Sequence, residues 1–389
     1  MPGHEIIGKE EKRNLTEIFE KSNGVLFGHA FEKKRNNIFR VREFEKKVCE
    51  KLKIKYCVAT TSGTMAQYVA MKALGVKKND EVITQAFTFV ATVEAIIALG
   101  AKPIILDVDD SFNMCPIELK KKISKKTKLI IPVPMLGNPC DMSKINRLAK
   151  KYDIPILEDA CESLGAKYKG SFVGTKSDIG IYSLDFAKTI TTGEGGLIVT
   201  NNKKLYTFCK EFVDHGHQNV KKLKRGLDTC SIPGLNLRMN EMQGAVGLAQ
   251  LKKLDKIISE NKKNKLFLKK NIKLNDKKFG FRKIHDRQEL CDTLIITLKN
   301  RTTALKMQNY LEKFEIFTKN LPDAIKWHFA GNWGHIFKRV PIYKKNYKSI
   351  WKKTRILLER SISLPININE KPKRLLFIAK KINSFLESN

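Results

Sequence analysis

Residues 183–200 read SLDFAKTITTGEGGLIVT, and the reading of this stretch decides the fold. Apolar runs at 179–184 and 197–199 have the composition of buried strands. Between them sits one lysine, Lys188, followed by Gly193, Gly195 and Gly196. Glycine is used where a chain turns tightly or comes close to a ligand. A lysine held beside a buried sheet edge gives up its proton more readily than one in water. The neutral amine can then form a Schiff base with an aldehyde. Lysine is also the ordinary surface residue of this chain, so Lys188 needs support from its surroundings.

That support comes from the residues before it. Residues 56–59 read as a strand, 60–64 (TTSGT) as a polar turn and 65–74 as a helix. Such a unit gathers backbone N–H groups and hydroxyls at a helix N-terminus, which is a seat for phosphate. The alternation then repeats, with strands at 81–84, 103–108, 129–136 and 154–157 and helices at 91–99 and 142–153. Strands and helices alternating at this spacing predict an α/β fold with a mostly parallel sheet covered on both faces. Ligands of such sheets gather at the carboxyl ends of the strands. Residues 60–64 and 87–89, Asp159 and Lys188 all fall at or just past such ends.

Upstream, residues 9–21 predict an amphipathic helix with Leu15, Ile18 and Phe19 on one side, and 43–53 a second with Phe44, Val48 and Leu52. Downstream, helices are expected at 203–213, 240–268, 303–314 and 372–387, with a strand at 292–298. The composition shifts after residue 250. The expected organisation is a large α/β domain over 1–250 and a smaller α+β domain over 251–389.

The 389 residues carry 74 Lys+Arg against 40 Asp+Glu, a formal net charge of +34. Residues 251–389 hold 34 of the basic residues and 12 of the acidic ones. The lysines come in pairs at helical spacing among Leu and Ile, with no arginine–aromatic interleaving and no nucleic-acid motif. Compositional bias is the main reading and attraction of an anionic substrate the second; nucleic acid is not an expected partner. The eight cysteines form no CxxC pair, which argues against a metal or disulfide framework and fits a reducing cytoplasm. No apolar run reaches the roughly 20 residues of a membrane span, and the N-terminal MPGHEIIGKEE has no signal-like apolar centre.

Asp159 ends an apolar strand, and a buried carboxylate requires a cation or hydrogen-bond donors. A protonated pyridine nitrogen is such a partner; Asp159 would keep it charged, which makes the ring an electron sink. Phe89 can stack on the same ring. Ser62, Gly63, Thr64 and Ser183 can hold its phosphate, and Lys188 its aldehyde. Each residue has an ordinary alternative, such as a helix cap for Asp159 or core for Phe89. Together they describe one site for pyridoxal phosphate and no metal site.

The whole chain resembles the DegT/DnrJ/EryC1/StrS family of pyridoxal-phosphate-dependent sugar aminotransferases, which have the type I (aspartate aminotransferase-like) fold. The stretches that carry the resemblance are TSGTMA, VITQAFTFVATVEAI, LDVDDSFNM, ILEDACESLGAKYKG, GTKSDIGIYSLDFAKTITTGEGGLIVT and GLNLRMNEMQGAVGLAQL, in order between residues 61 and 251. The resemblance implies that Lys188 is the Schiff-base lysine and Asp159 the pyridinium partner. It implies that Thr64 and Ser183 bind phosphate and that Phe89 stacks on the ring. It also implies that Asn236 reaches the phosphate of the neighbouring subunit, so the active unit is a homodimer with shared sites. Glu162, close to the ring hydroxyl, stands where many members have Gln, and Pro134 where the family usually has a histidine. The family's 3-dehydratase branch replaces the lysine by histidine; Lys188 therefore favours amino transfer.

For substrates, the resemblance implies L-glutamate as donor and a keto sugar as acceptor, in amino-sugar and lipopolysaccharide biosynthesis. A nucleotide-linked 4-keto or 3-keto hexose is the main reading. The segments HGHQN, RGLDT and TKNLPDAIKWHFAGNWGH are rich in polar and aromatic side chains that suit an anionic sugar. They make His215, His217, Asn219, Arg225, Lys319, Asn320, Trp327 and His328 substrate candidates, with small-domain core as the alternative for Trp327, Phe329 and Trp333. MPGHEIIG and WHFAGNW resemble the branch that makes 8-amino-3,8-dideoxy-manno-octulosonate, so amination of 8-oxo-3-deoxy-octulosonate is the alternative. A sugar dehydratase and a non-catalytic regulator, each using pyridoxal phosphate, are the remaining ones.

Overall fold

The computed structural model describes residues 3–218, 220, 223, 227–228, 232–274, 279–321, 325–338 and 340–388. Strands β1 (Tyr56–Thr60), β2 (Glu81–Gln85), β3 (Lys102–Leu106), β4 (Thr127–Ile130) and β5 (Leu157–Asp159) are followed by a small hairpin, β6 (Lys167–Tyr168) and β7 (Ser171–Phe172). Strands β8 (Ile179–Ser183) and β9 (Gly196–Thr200) complete the central sheet. Its two hydrogen-bonded parts run β3-β2-β4 and β5-β8-β9-β1. A parallel bridge between Ile130 and Ile156 joins them. Strand β9 is antiparallel to both neighbours, and the remaining pairings are parallel. Every residue of β8 and β9 is buried, which is why both read as continuous apolar runs.

Helices α1 (Lys9–Ser22), α2 (Arg40–Leu52), α3 (Gly63–Ala73), α4 (Ala91–Ala98), α5 (Pro116–Lys122), α6 (Met142–Lys151) and α7 (Lys203–Phe212) surround this sheet. The long α8 (Glu241–Asn271) leads into a second, antiparallel sheet made of β10 (Gly280–Phe281), β11 (Thr293–Thr297), β12 (Lys319–Leu321) and β13 (Ser361–Pro365), in the order β10-β11-β13-β12. Helices α9 (Arg301–Glu312) and α12 (Pro372–Glu387) cover one face of it. The short α10 (Gly334–Phe337) and α11 (Lys352–Glu359) lie between β12 and β13 in sequence.

Three expectations are corrected. The apolar run 129–136 is a strand only to Ile130, because Pro132 and Pro134 have no N–H to continue the ladder; Met135–Gly137 is a 3₁₀ turn. Helix α1 buries Glu11, Asn14, Ile18 and Ser22 and leaves Phe19 59% exposed. It docks on α8 by polar contacts, with Lys253 2.6 Å from Glu11 and the Asn14 amide donating to the Ala245 carbonyl at 2.9 Å. Phe329 and Trp333 are core, but of the central sheet rather than the smaller one, while Trp327 is exposed. The chain around them is fastened to β3, where the Ile105 N–H donates to Tyr343 at 2.9 Å and the Trp351 indole donates to the Ile105 carbonyl at 3.0 Å.

Candidate active site

A cavity of about 670 Å³ opens where β5 and β8 end and α3 and α4 begin, with the second sheet opposite. Ser62 caps α3, its Oγ accepting from the Met65 N–H at 3.1 Å. At Gly63 a Cβ would stand 2.9 Å from the Ser183 Cβ and 3.1 Å from the Cys161 sulfur. Glycine therefore lets the first turn of α3 come up against β8. The N–H groups of that turn have no partner within the helix. With the Thr64 and Ser183 hydroxyls they border one end of the cavity, a donor set suited to a phosphate.

Asp159 is 4% exposed. Its Oδ2 accepts from the Thr92 hydroxyl at 2.8 Å and its Oδ1 from the Cys161 N–H at 3.3 Å, while Thr88 and Thr92 hydroxyls lie 2.8 Å apart. Burial pushes the Asp159 carboxyl up, against these hydrogen bonds and the charge of Lys188. No cation among the described residues forms an ion pair with it. A buried carboxylate lining a cavity and partnered only by neutral donors fits a cationic group in that cavity, as a protonated pyridine nitrogen would be.

Glu162 joins three elements. Its Oε1 lies 3.9 Å from Lys188 Nζ and 3.4 Å from His328 Nε2. Its Oε2 accepts from the Leu136 N–H at 3.0 Å. Leu136 is in the left-handed region (φ 51°). Arg282 clamps this turn by donating to the Met135 carbonyl at 3.0 Å and the Leu136 carbonyl at 2.6 Å. Burial would raise the Glu162 carboxyl, but His328, Lys188 and the Leu136 N–H together hold it at about 2. It is ionised beside Lys188. Phe89 is exposed at the cavity wall, its ring centroid 5.2 Å from that of His328.

The single chain thus brings Ser62, Gly63, Thr64, Phe89, Asp159, Glu162, Ser183 and Lys188 to one cavity, together with Lys319, Trp327 and His328. Asn320 does not join them. On β12, Lys319 pairs with Ser363 and both line the cavity, so strand alternation turns Asn320 to the opposite face with Ile362. Asn236 is exposed and outside the cavity, on the strip whose Leu237 carbonyl accepts from the Thr61 N–H at 3.0 Å. His215 and His217 are outside it too; His217 Nδ1 lies 2.8 Å from Asp228. Asn219 and Arg225 fall outside the described residues. Sequence reasoning missed Thr92, whose position one helical turn after Phe89 was a usable signal. It also missed Leu136 and Arg282, which no local pattern marks. Among the described residues no group of His, Cys, Asp and Glu could hold a metal ion, and no helix is long and apolar enough to cross a membrane.

The profile described as the DegT/DnrJ/EryC1/StrS aminotransferase family matches residues 25–382. GDP-perosamine synthase of Escherichia coli O157:H7 is 40% identical over 233 residues, covering 60% of this chain and 63% of that protein. UDP-2-acetamido-2-deoxy-3-oxo-D-glucuronate aminotransferase of Pseudomonas aeruginosa is 36% identical over 225 residues, covering 57% and 61%. The chain therefore spans about three fifths of the length of the curated relatives it matches. Among solved structures, Helicobacter pylori PseC, an aminotransferase involved in the biosynthesis of pseudoaminic acid, superposes with a TM-score of 0.81 at 23% identity over 98% of both chains. The E. coli GDP-4-keto-6-deoxy-D-mannose-3-dehydratase with bound hydrated PLP does so at 0.81 and 22% identity over 97% of both. The arrangement described above is the type I fold that these proteins share.

Proposed function

The chain belongs to the DegT/DnrJ/EryC1/StrS aminotransferase family, and from that premise we propose that it is a pyridoxal-phosphate-dependent aminotransferase moving an amino group from L-glutamate to a keto sugar. The observation that carries this reading is that Lys188, Asp159 and the N-terminus of α3 border one cavity. Lys188 would hold the coenzyme's aldehyde, Asp159 its ring nitrogen and Phe89 a ring face. Thr64, Ser183 and the Gly63 turn would hold its phosphate. When bound, the coenzyme supplies an electron sink for the carbon that loses its proton. The Lys188 amine is the base placed to take the donor's α-proton on Nζ and to return it. Glu162, itself ionised, lies 3.9 Å from that amine. Asn236, exposed and outside the cavity of its own chain, supports a homodimer in which it reaches the neighbour's phosphate.

A nucleotide-linked keto hexose is the acceptor we favour by kinship with the relatives named above. One observation favours a second acceptor. Among the described residues lining the cavity, the basic side chains are Lys188, Lys319 and His328, and His328 is engaged by Glu162. Lys319 alone matches a single carboxylate better than a diphosphate, and 8-oxo-3-deoxy-octulosonate carries one carboxylate. The purified full-length protein, loaded with pyridoxal phosphate, is expected to lose its visible absorbance on adding L-glutamate. A GDP-linked 4-keto sugar, a UDP-linked 3-keto sugar or 8-oxo-3-deoxy-octulosonate is then expected to restore it. A protein that never acquires the visible band, or keeps it whatever amino acid is added, would overturn the reading.

A further inference from the structure

Residues 3–8 precede the stretch that the family profile matches, and they cross the back of the turn that carries Lys188. The Gly3 N–H donates to the Lys188 carbonyl oxygen at 3.0 Å. A Cβ on Gly3 would stand 2.7 Å from that oxygen and 3.0 Å from the Ile190 Cα, so no larger residue fits unless the turn moves. The His4 ring stacks on Phe186, two residues before Lys188, with centroids 5.1 Å apart and planes 28° apart. The segment then reaches the other wall of the cavity. Glu5 Oε2 accepts from the Ile368 N–H at 3.2 Å, and the Glu5 carbonyl from the Asn369 amide at 3.4 Å. Those residues lie three and four positions past the end of β13, whose Ser363 and Pro365 line the cavity. A third anchor is Lys253, which donates to the Ile6 carbonyl at 2.8 Å and pairs with Glu11 at 2.6 Å.

The strap adds to bonds around the turn, among them the Lys188 N–H donating to the Asp185 carbonyl at 3.0 Å and the Thr191 N–H to Gln250 at 3.2 Å. Gly193 and Gly195, at φ 81° and 158°, follow Lys188 in the same loop and leave it a permissive backbone. The Lys188 ammonium has Glu162 at 3.9 Å, beyond hydrogen-bonding distance. Where Nζ stands is therefore set by where the backbone of residue 188 is held. We propose that Gly3 and His4 are positioning residues for Lys188, forming a strap that fixes the Lys188 backbone against the second sheet so that its amine meets the coenzyme in register. This rests on reading Lys188 as the coenzyme lysine.

The test uses the full-length protein carrying pyridoxal phosphate, in four forms: unchanged, His4→Ala, His4→Phe and Gly3→Val. Three quantities are read: the pH midpoint of the visible band of lysine-bound coenzyme, the rate of coenzyme loss on dilution, and the melting temperature. His4→Ala is expected to speed coenzyme loss by about two- to tenfold, the factor that one aromatic contact is worth, and to displace the pH midpoint. His4→Phe keeps the stacking and should restore both. Gly3→Val, which pushes on the turn itself, should exceed His4→Ala in both readouts. Melting temperatures should stay within about 3 °C of the unchanged protein. Coenzyme loss and pH midpoint unchanged in His4→Ala and Gly3→Val would overturn the proposal. So would His4→Phe behaving like His4→Ala, or effects that simply follow a fallen melting temperature. If the unchanged protein binds no pyridoxal phosphate, it is the proposed function that fails, and the two failures are thereby told apart.

Discussion

The two walls of the cavity are built on opposite terms. On the wall formed by the central sheet, the carboxylates are held by fixed partners. Asp159 is gripped by Thr92 and Cys161, and Glu162 by Leu136, His328 and Lys188. On the wall formed by the second sheet, Lys319 makes no ion pair among the described residues. Between the walls, Trp327, whose carbonyl accepts from the Val90 N–H at 2.8 Å, is 56% exposed and meets His335 edge-on, with centroids 5.6 Å apart. Groups that stabilise charge during a reaction gain from being held in place beforehand, since no reorganisation is then needed. Groups that recognise a substrate can stay open until it arrives. The contrast predicts that changes on the first wall lower kcat and changes on the second raise KM.

The largest break would be at Lys188. On the proposed function Lys188→Ala removes the base and the coenzyme anchor together, and single-turnover rates of both half-reactions should fall by at least about 10³-fold. Asp159→Asn is the next step down. The amide fills the same space and can still accept from Thr92, but it brings no charge to a ring nitrogen. A loss of about 10²–10³ in kcat is expected from removing one such electrostatic group. KM for the keto sugar should stay within about threefold, because Asp159 belongs to the first wall. Equal effects on kcat and KM would erase the distinction between the walls.

Glu162 sharpens the contrast without any substrate. Its carboxyl is held at about 2 against an ordinary 4.5. A depressed carboxyl stabilises the fold above its unfolded-state value, and that stability is lost as pH falls toward the folded-state value. The Glu162 contribution should therefore be complete above about pH 5 and vanish toward pH 2, at roughly 3 kcal/mol in all. Buried Glu158, raised to about 7, works in the opposite direction, so the comparison must be between the unchanged protein and Glu162→Gln. Urea unfolding at several pH values should show the stability gap between them closing as pH drops from 5 to 2. A gap independent of pH would mean that the ion pairs on this wall contribute nothing.

What could be read in advance divides along the same line. Lys188, Asp159 and the 60–64 turn were legible because each lies at the end of an apolar strand, and strand ends are fixed by short-range pattern. Glu162 was legible as a residue of the same site as Lys188 and Asp159, whose cavity it lines, but not as a carboxylate shared with His328. Those two are 166 positions apart and meet because the chain around His328 is bonded to the chain after β2, by the bridge between Phe87 and Phe329 and by the Thr88 N–H donating to the His328 carbonyl at 3.0 Å. Helix α1 was placed correctly and its face only in part, since Ile18 is buried and Phe19 is not. Its contact with α8 includes polar bonds made by Glu11 and Asn14, and hydrophobic periodicity is blind to those. On the second wall, a cluster of polar and aromatic residues located the region, but composition could not say which neighbours in a short strand face the cavity.

Lys319 and Asn320 settle that last point, and they carry the smallest expected effects. They are adjacent on β12 and paired with Ser363 and Ile362 of β13, so they face opposite ways. Lys319→Gln removes a cation from the cavity and should raise KM for an anionic keto sugar by about tenfold, the lower end of what a charge-assisted hydrogen bond is worth. The rate at saturation should hold within about twofold. Asn320 is 1% exposed, and neither of its amide atoms has a hydrogen-bond partner among the described residues. An unpaired buried amide costs free energy, and a β-branched residue suits a strand between apolar neighbours. Asn320→Val should therefore stabilise the protein by about 1 kcal/mol in urea unfolding and leave KM unchanged. A rise in KM for Asn320→Val equal to that for Lys319→Gln would mean that β12 is turned the other way. The wall that receives the substrate would then be built from the residues this register buries.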